Sequence, residues 1–250
     1  MFVLTEILFI LVLFFISGFV IGDAIILPRA NIAALAVDPQ KTFVLGGSLA
    51  IDDTGAEWVN KVVDFTRKIK IDYKVLVVGT QDFHPRGHIS FLSSHSSPDE
   101  LYQSYNLTKV SEEEPELFKP SLFRREITTG DGIKLYEDVE QIMWPEHGVK
   151  GGGDVERPDG TKVYIGTDFF DGVSEHFDYI QQKGTNVLVD SYSAFNDDGG
   201  FDTGLNAYLI SKNIKTLIVY GLAGDVCVKV TIEHAIRLGY NIVFVEELTR

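Results

Sequence analysis

Cys227 is the single cysteine of the chain, and it stands where a thiol can serve as a nucleophile. It follows Lys215–Gly221 (KTLIVYG), which reads as a buried strand, and the turn Leu222-Ala223-Gly224-Asp225. It opens the amphipathic stretch Cys227–Leu238 (CVKVTIEHAIRL). At such a strand-to-helix turn the backbone N–H groups point outward and the helix dipole favours a thiolate. A lone cysteine is otherwise a small buried hydrophobe, so its company decides. Asp38 ends AALAV, and Thr80-Gln81-Asp82-Phe83-His84-Pro85, with His88 close behind, follows KVLVVG. Lys183 follows FDYIQQ, and Trp144-Pro145-Glu146-His147 lies between those last two runs. Singly, Asp38 reads as a helix cap, Lys183 as a surface residue and His147 as a loop residue. Together, a thiol, an acid, a lysine and an Asp/His/His set are the equipment of covalent catalysis.

Those residues can meet only if strands and helices alternate, and the pattern from Asn31 onward does so. Ala33–Val37, Lys74–Gly79, Phe177–Gln182, Lys215–Gly221 and Asn241–Glu246 read as strands. Glu57–Lys68, Phe201–Lys212 and Val226–Leu238 carry helical apolar spacing. The expected fold is α/β: three αβα layers around a mostly parallel central sheet, formed by residues 31–250 as one domain. In such sheets chemistry gathers at the carboxyl ends of the strands.

Composition narrows the function classes. A 250-residue chain with 45% hydrophobic content can bury one sizeable core. A net charge of −14 argues against a nucleic-acid partner, since nothing would neutralise phosphates. Part of that acidity is the run Ser111–Glu116 (SEEEPE), which reads as a solvated loop. One cysteine excludes an intramolecular disulfide framework. Ile7–Ile21 carries no charge and leads to the small-x-small pattern Gly22-Asp23-Ala24. It is shorter than the roughly 20 residues that span a bilayer, so Met1–Ala24 reads as a secretory signal peptide, with an uncleaved membrane anchor as the alternative. The expected location is the secretory pathway or extracellular space, or a membrane if the segment stays. Asn106-Leu107-Thr108 is a sequon that would be glycosylated on that route.

The motifs AVDPQKTFVLGGSLAI, GTQDFHPRGHISF, QIMWPEHGVKG, QQKGTNVLVDSYSAF and GLAGDVCVKVTIEHAIRLGY resemble the nicotinamidase branch of the isochorismatase-like cysteine hydrolases. The resemblance covers nearly everything from Ala33 to Arg250, and DFHP together with WPEH is its most specific part. It implies a catalytic triad of Asp38, Lys183 and Cys227. It implies metal ligands Asp82, His84 and His147, with His88 as a second-rank ligand. Phe43 and Trp144 match substrate-pocket aromatics, and a cis peptide is implied at Leu222–Ala223 to aim an oxyanion donor. The departures are Lys41-Thr42 after the first motif's Gln40, Phe83 in DFHP, and Gly148, Gly224 and Val226. None removes a reacting group. The long segment from His95 to Glu140 is expected to form a lid or a homo-oligomer contact.

The chemistry follows from the groups. A free thiol has a pKa of about 8.5 and needs help at neutral pH. Asp38 can take its proton, and the positive charge of Lys183 is expected to favour the thiolate. Backbone N–H groups of Ala223–Cys227 would cradle the oxyanion, at roughly 2.7–4 kcal/mol per donor. A carboxylate–imidazole set suits Zn²⁺, with Fe²⁺ or Mn²⁺ as alternatives. The expected reaction is hydrolysis of nicotinamide to nicotinate and ammonia. The alternatives are a related amide or ureido hydrolase with the same triad, or a secreted binding protein that keeps the fold without turnover.

Overall fold

Strands buried on both faces read as unbroken apolar runs, and Ile32–Val37 (β1) and Thr216–Gly221 (β4) are buried at every residue. The computed structural model describes residues 7–16, 19–28, 31–95, 101–109, 124–128 and 132–250. With Leu76–Asp82 (β2), Tyr179–Lys183 (β3) and Asn241–Thr249 (β5), these strands form one sheet in the order β3-β2-β1-β4-β5. All four pairings are parallel.

Helices cover both faces. Trp58, Val62, Thr66 and Ile69 form one stripe of Ala56–Ile71 (α1), three or four residues apart, and are its buried residues. That stripe packs on Ile32, Ala34 and Ala36 of β1 and on Ile218 and Tyr220 of β4. The alternate residues Ala33, Leu35, Val37, Leu217 and Val219 meet Leu205 and Leu209 of Leu205–Ser211 (α2) and Ala235 of Lys229–Arg237 (α3). The three-layer αβα fold with a parallel sheet therefore stands as expected.

Several boundaries differ from the sequence-based expectation, and three of them have a clear physical reason. β2 runs past Gly79 to Asp82, because β3 continues the ladder with Gln181↔Thr80, Gln182↔Gln81 and Lys183↔Asp82. The helix expected from Phe201 begins at Leu205. Turn chemistry wins there: Asp197 Oδ1 accepts from the Phe201 N–H at 2.8 Å, Asp202 Oδ1 from that of Gly204 at 2.7 Å, and Gly204 takes φ +93. The helix expected from Val226 starts with a π-helical turn, Gly224–Val228, and becomes α-helical only at Lys229. Single π turns of this kind recur at functional positions.

In the His95–Glu140 segment Arg124–Thr128 pairs with Lys134–Asp138, and Ser104–Asn106 pairs with Glu140–Ile142 at its end, as antiparallel ribbons. The acidic run Ser111–Glu116 lies outside the described residues. Ile7–Ile16 and Phe19–Pro28 pair antiparallel in a two-stranded sheet separate from the central one. Among the described residues no helix is long and apolar enough to cross a membrane.

Candidate active site

Connections from β1 run outward to β2 and β3 on one side, while β4 and β5 lie on the other. The order thus reverses between β1 and β4, and an open α/β sheet holds its ligands at the carboxyl ends of the strands at such a point. Asp38 follows β1 there with φ +45, and Cys227 follows β4 on the π turn. Lys183 is the last residue of β3 and Asp82 the last of β2, and they are register partners.

Lys183 ties the group together. Its ammonium lies 2.9 Å from Asp38 Oδ2, hydrogen-bonds Asp82 Oδ1, and donates to the Ser191 carbonyl at 3.0 Å and toward Cys227 Sγ at 3.5 Å. Burial lowers the pKa of this lysine, but Asp38 and Asp82 outweigh it and hold the pKa well above the usual value. Asp38 is pushed up to about 6, by burial first and by Asp82, against the pull of Lys183 and Thr80. Asp82 goes the other way: Lys183, His84 and His147 outweigh burial and keep its carboxyl well below the usual range. Oxygens of both carboxylates and Cys227 Sγ lie within 4.8 Å of one another.

The thiol differs from expectation. Burial raises its pKa well above the ordinary value, Lys183 pulls it down, and Asp38, Asp82 and Asp190 push it up again. One ammonium shared among converging carboxylates does not offset desolvation, so the resting thiol keeps its proton. A base must remove that proton during the reaction, and Asp38, with a pKa near neutrality, is poised to do so.

Asp82, His84 and His147 form a second focus. His84 Nδ1 donates to the Gly184 carbonyl at 3.0 Å and His147 Nδ1 to that of Pro145 at 2.7 Å. A carbonyl only accepts, so each Nδ1 carries a hydrogen and each Nε2 keeps a lone pair. Both Nε2 atoms lie 3.7 Å from Asp82 Oδ2, and buried His84 Nε2 has no hydrogen-bond partner among the described residues. A tetrahedral ion with bonds near ~2.1 Å separates its ligand atoms by about 3.4 Å. The donor set therefore fits a divalent cation. Burial and His84 push His147 down to about 4, whereas the Asp82 carboxylate raises His84 in spite of burial. Two glycines make room: a Cβ on Gly184 would lie 2.2 Å from His84 Cε1, and one on Gly148 would lie 2.7 Å from Asp82 Cβ. His88 stacks on His84 at 4.2 Å between ring centroids and turns Nδ1 to Ser90 Oγ at 2.7 Å. Its ligand atom clusters with those of His84 and Asp190 rather than with the Asp82 trio.

A cavity of about 180 Å³ opens onto both foci. Phe43 and Trp144, the expected pocket aromatics, line it together with Ala223 of the expected oxyanion turn, as do Leu49, Ile51, Tyr192, Val226 and Asp190. Trp144 Nε1 donates to the Tyr192 hydroxyl at 3.0 Å, fixing the indole. The Leu222–Ala223 peptide is cis, and the Ala223 N–H donates to no protein acceptor among the described residues. Sequence reasoning missed Asp190 and Tyr192, although both stand in the quoted VDSYSAF run. It also gave no role to Thr80, whose hydroxyl meets Asp38, or to Gln40. The Gln40 carboxamide accepts from the Asp82 N–H at 2.7 Å and donates to the Asp82 carbonyl at 3.0 Å.

Comparison with known proteins gives three findings. An isochorismatase domain model matches residues 175–250. The nicotinamidase of Schizosaccharomyces pombe is 31% identical over 220 residues, 87% of this chain and 82% of the relative, and that of Escherichia coli is 31% identical over 213 residues, 84% and 78%. The structure of the yeast nicotinamidase bound to the inhibitor nicotinaldehyde aligns with a TM-score of 0.64 at 26% identity, covering 88% of each chain.

Proposed function

The chain belongs to the nicotinamidase family, and from that premise we propose that it hydrolyses nicotinamide to nicotinate and ammonia through a thioester on Cys227. The observation that carries this reading is the single buried ammonium of Lys183 in contact with Asp38, Asp82 and Cys227 at the end of a small apolar pocket. Phe43 and Trp144 supply aromatic walls for a planar ring.

Asp38 takes the proton from the Cys227 thiol, and the sulfur electron pair attacks the carboxamide carbon. The carbonyl electrons move to oxygen, where the free Ala223 N–H is available to meet the oxyanion. Collapse of the adduct breaks the C–N bond, and the proton held on Asp38 goes to the leaving nitrogen as ammonia is formed. A water molecule then gives its proton to Asp38 and its oxygen to the thioester, and the departing sulfur is reprotonated. Lys183 stays charged throughout and offsets the carboxylates and the transient thiolate.

Asp82, His84 and His147 would hold the ion, which we assign as Zn²⁺ with Fe²⁺ or Mn²⁺ as alternatives, and which would supply a Lewis-acidic position suited to a pyridine nitrogen. We also propose that Met1–Ala24 directs the chain into the secretory pathway or anchors it at a membrane; the uncharged run Ile7–Ile21 supports this. Mass spectrometry of the mature N-terminus separates the two.

The function is tested by ammonia release from nicotinamide beside benzamide and a panel of aliphatic amides and ureides. Nicotinamide is expected to be turned over, benzamide poorly, and Cys227→Ala should be inactive with an unchanged fold. Turnover of another amide or ureide with none of nicotinamide by the metal-loaded protein would overturn the assignment.

A further inference from the structure

The backbone ladder between β1 and β2 ends at Ala36↔Gly79. Beyond it, side chains continue the connection between the two strand ends. The Asp38 N–H donates to Thr80 Oγ1 at 2.9 Å, and Thr80 Oγ1 lies 2.5 Å from Asp38 Oδ1. Both residues are fully buried. A hydroxyl has one hydrogen. Because Thr80 Oγ1 already accepts from the Asp38 amide, and a carboxylate oxygen accepts only, that hydrogen lies on the line to Asp38 Oδ1. The direction of the bond is thus fixed by the backbone of the residue it serves.

The two oxygens of Asp38 are therefore not equivalent. Oδ1 is engaged by the Thr80 hydroxyl. Oδ2 lies 2.9 Å from Lys183 Nζ, in ionic contact, and accepts from no hydroxyl or backbone N–H among the described residues. It is the oxygen turned to the ammonium, while Oδ1 is turned to the hydroxyl. The same lysine nitrogen lies 3.5 Å from the Cys227 sulfur.

We propose that Thr80 is a positioning residue: its hydroxyl holds Asp38 Oδ1, so that Oδ2 is the oxygen presented to Lys183 and to the proton traffic of the cycle. The inference rests on the amidase reading for the second half of the cycle but not for the first. In the first half the S–H bond breaks, the proton goes to Oδ2 and the electron pair stays on sulfur. In the second half the Oδ2–H bond breaks, and the proton joins the amide nitrogen as its bond to carbon is lost. Nothing is oxidised or reduced, and water supplies the group that replaces the nitrogen. Without the Thr80 hydroxyl the carboxylate can turn about χ2, Oδ1 loses its partner, and either oxygen can face Lys183.

The experiment compares Thr80→Val, which keeps shape but loses the hydroxyl, with Thr80→Ser, which keeps the hydroxyl. Thermal melting and metal content establish that each variant is folded and loaded. Thr80→Val should lower kcat about 10- to 100-fold with KM little changed, as expected for a reacting group out of line by an ångström or less. It should also slow iodoacetamide alkylation of Cys227 at pH 7, while Thr80→Ser restores most of both rates. The alkylation arm needs no amide substrate. If the wild type failed to release ammonia from nicotinamide, the function would be wrong and the Thr80 assignment would still be decided. A folded Thr80→Val with wild-type kcat and alkylation rate would overturn the inference. So would a Thr80→Ser variant impaired as deeply as Thr80→Val. Should Thr80→Val fail to fold, Thr80→Ala takes its place beside Thr80→Ser with the same two readouts, and a folded Thr80→Ala with wild-type kcat and alkylation rate overturns the proposal.

Discussion

Lys183→Met isolates the charge at the centre of the site, because methionine retains most of the aliphatic stem and removes only the ammonium end. Lys183 is 1% exposed and faces two fully buried carboxylates and a buried thiol. Removing one partner of a buried ion pair leaves the other uncompensated, at a cost of about 3–5 kcal/mol. For a chain of this length each kcal/mol moves Tm by about 2–4 °C, so in the presence of a chelator the variant should melt about 6–20 °C below wild type. Loading the ion at Asp82 should return part of that loss, since the cation supplies positive charge beside Asp82 in place of the ammonium. Asp38 should hold its proton more tightly and the thiol should become harder to ionise, because the contribution that lowers both is gone. Differential scanning fluorimetry with and without metal, and iodoacetamide alkylation from pH 6 to 9, read the two effects separately. A Lys183→Met protein with wild-type melting in chelator and an unchanged alkylation profile would refute the electrostatic account of the site.

Asp38 must be ionised to accept the thiol proton and its pKa is raised to about 6, so kcat/KM should rise with pH through about 6; a flat profile between pH 5 and 7 would contradict its role as base. The same shift makes Asp38 stabilising when protonated, so its contribution to stability is complete below its unfolded value of 3.8 and is lost as pH rises through about 6. His147→Ala should lose metal, measured by elemental analysis, and weaken nicotinamide binding while leaving Cys227 open to small alkylating agents. Retained stoichiometric metal in that variant would exclude His147 as a ligand. Gly184→Ala places a methyl group 2.2 Å from His84 Cε1 at a φ of +62, so it should displace the imidazole and lower metal affinity about 10- to 100-fold; undiminished affinity would show that the ring is not held as described.

The strands were legible because burial on both faces leaves an unbroken apolar signature, as in Ile32–Val37 and Thr216–Gly221. The strand-end residues were legible because an α/β sheet collects them at one edge. Less visible was what depends on convergence. Lys183 looked like a simple activator of Cys227 until Asp38, Asp82 and Asp190 were found pressing on the same thiol. Asp190 sits in a Val-Asp-Ser run that reads as turn chemistry. Thr80 and Gln40 are ordinary polar residues whose partners lie 42 positions away. The first turn of the nucleophile's helix kept the right periodicity while adopting π geometry, a difference in hydrogen bonding that apolar spacing does not encode.

The register between β2 and β3 also sets where this protein can gain or lose residues. Side chains alternate faces with a period of two along a strand, and Tyr179–Lys183 is five residues long. Deleting one residue within it would bring the ammonium of Lys183 to the α1 side of the sheet, away from Asp82 and Cys227. The chain could still fold around its apolar core, yet the reaction centre would have lost its cation. The ribbon excursions between Ser104 and Ile142 carry no such constraint from the central sheet. Length variation among homologues should therefore accumulate in that excursion and be purged from β3.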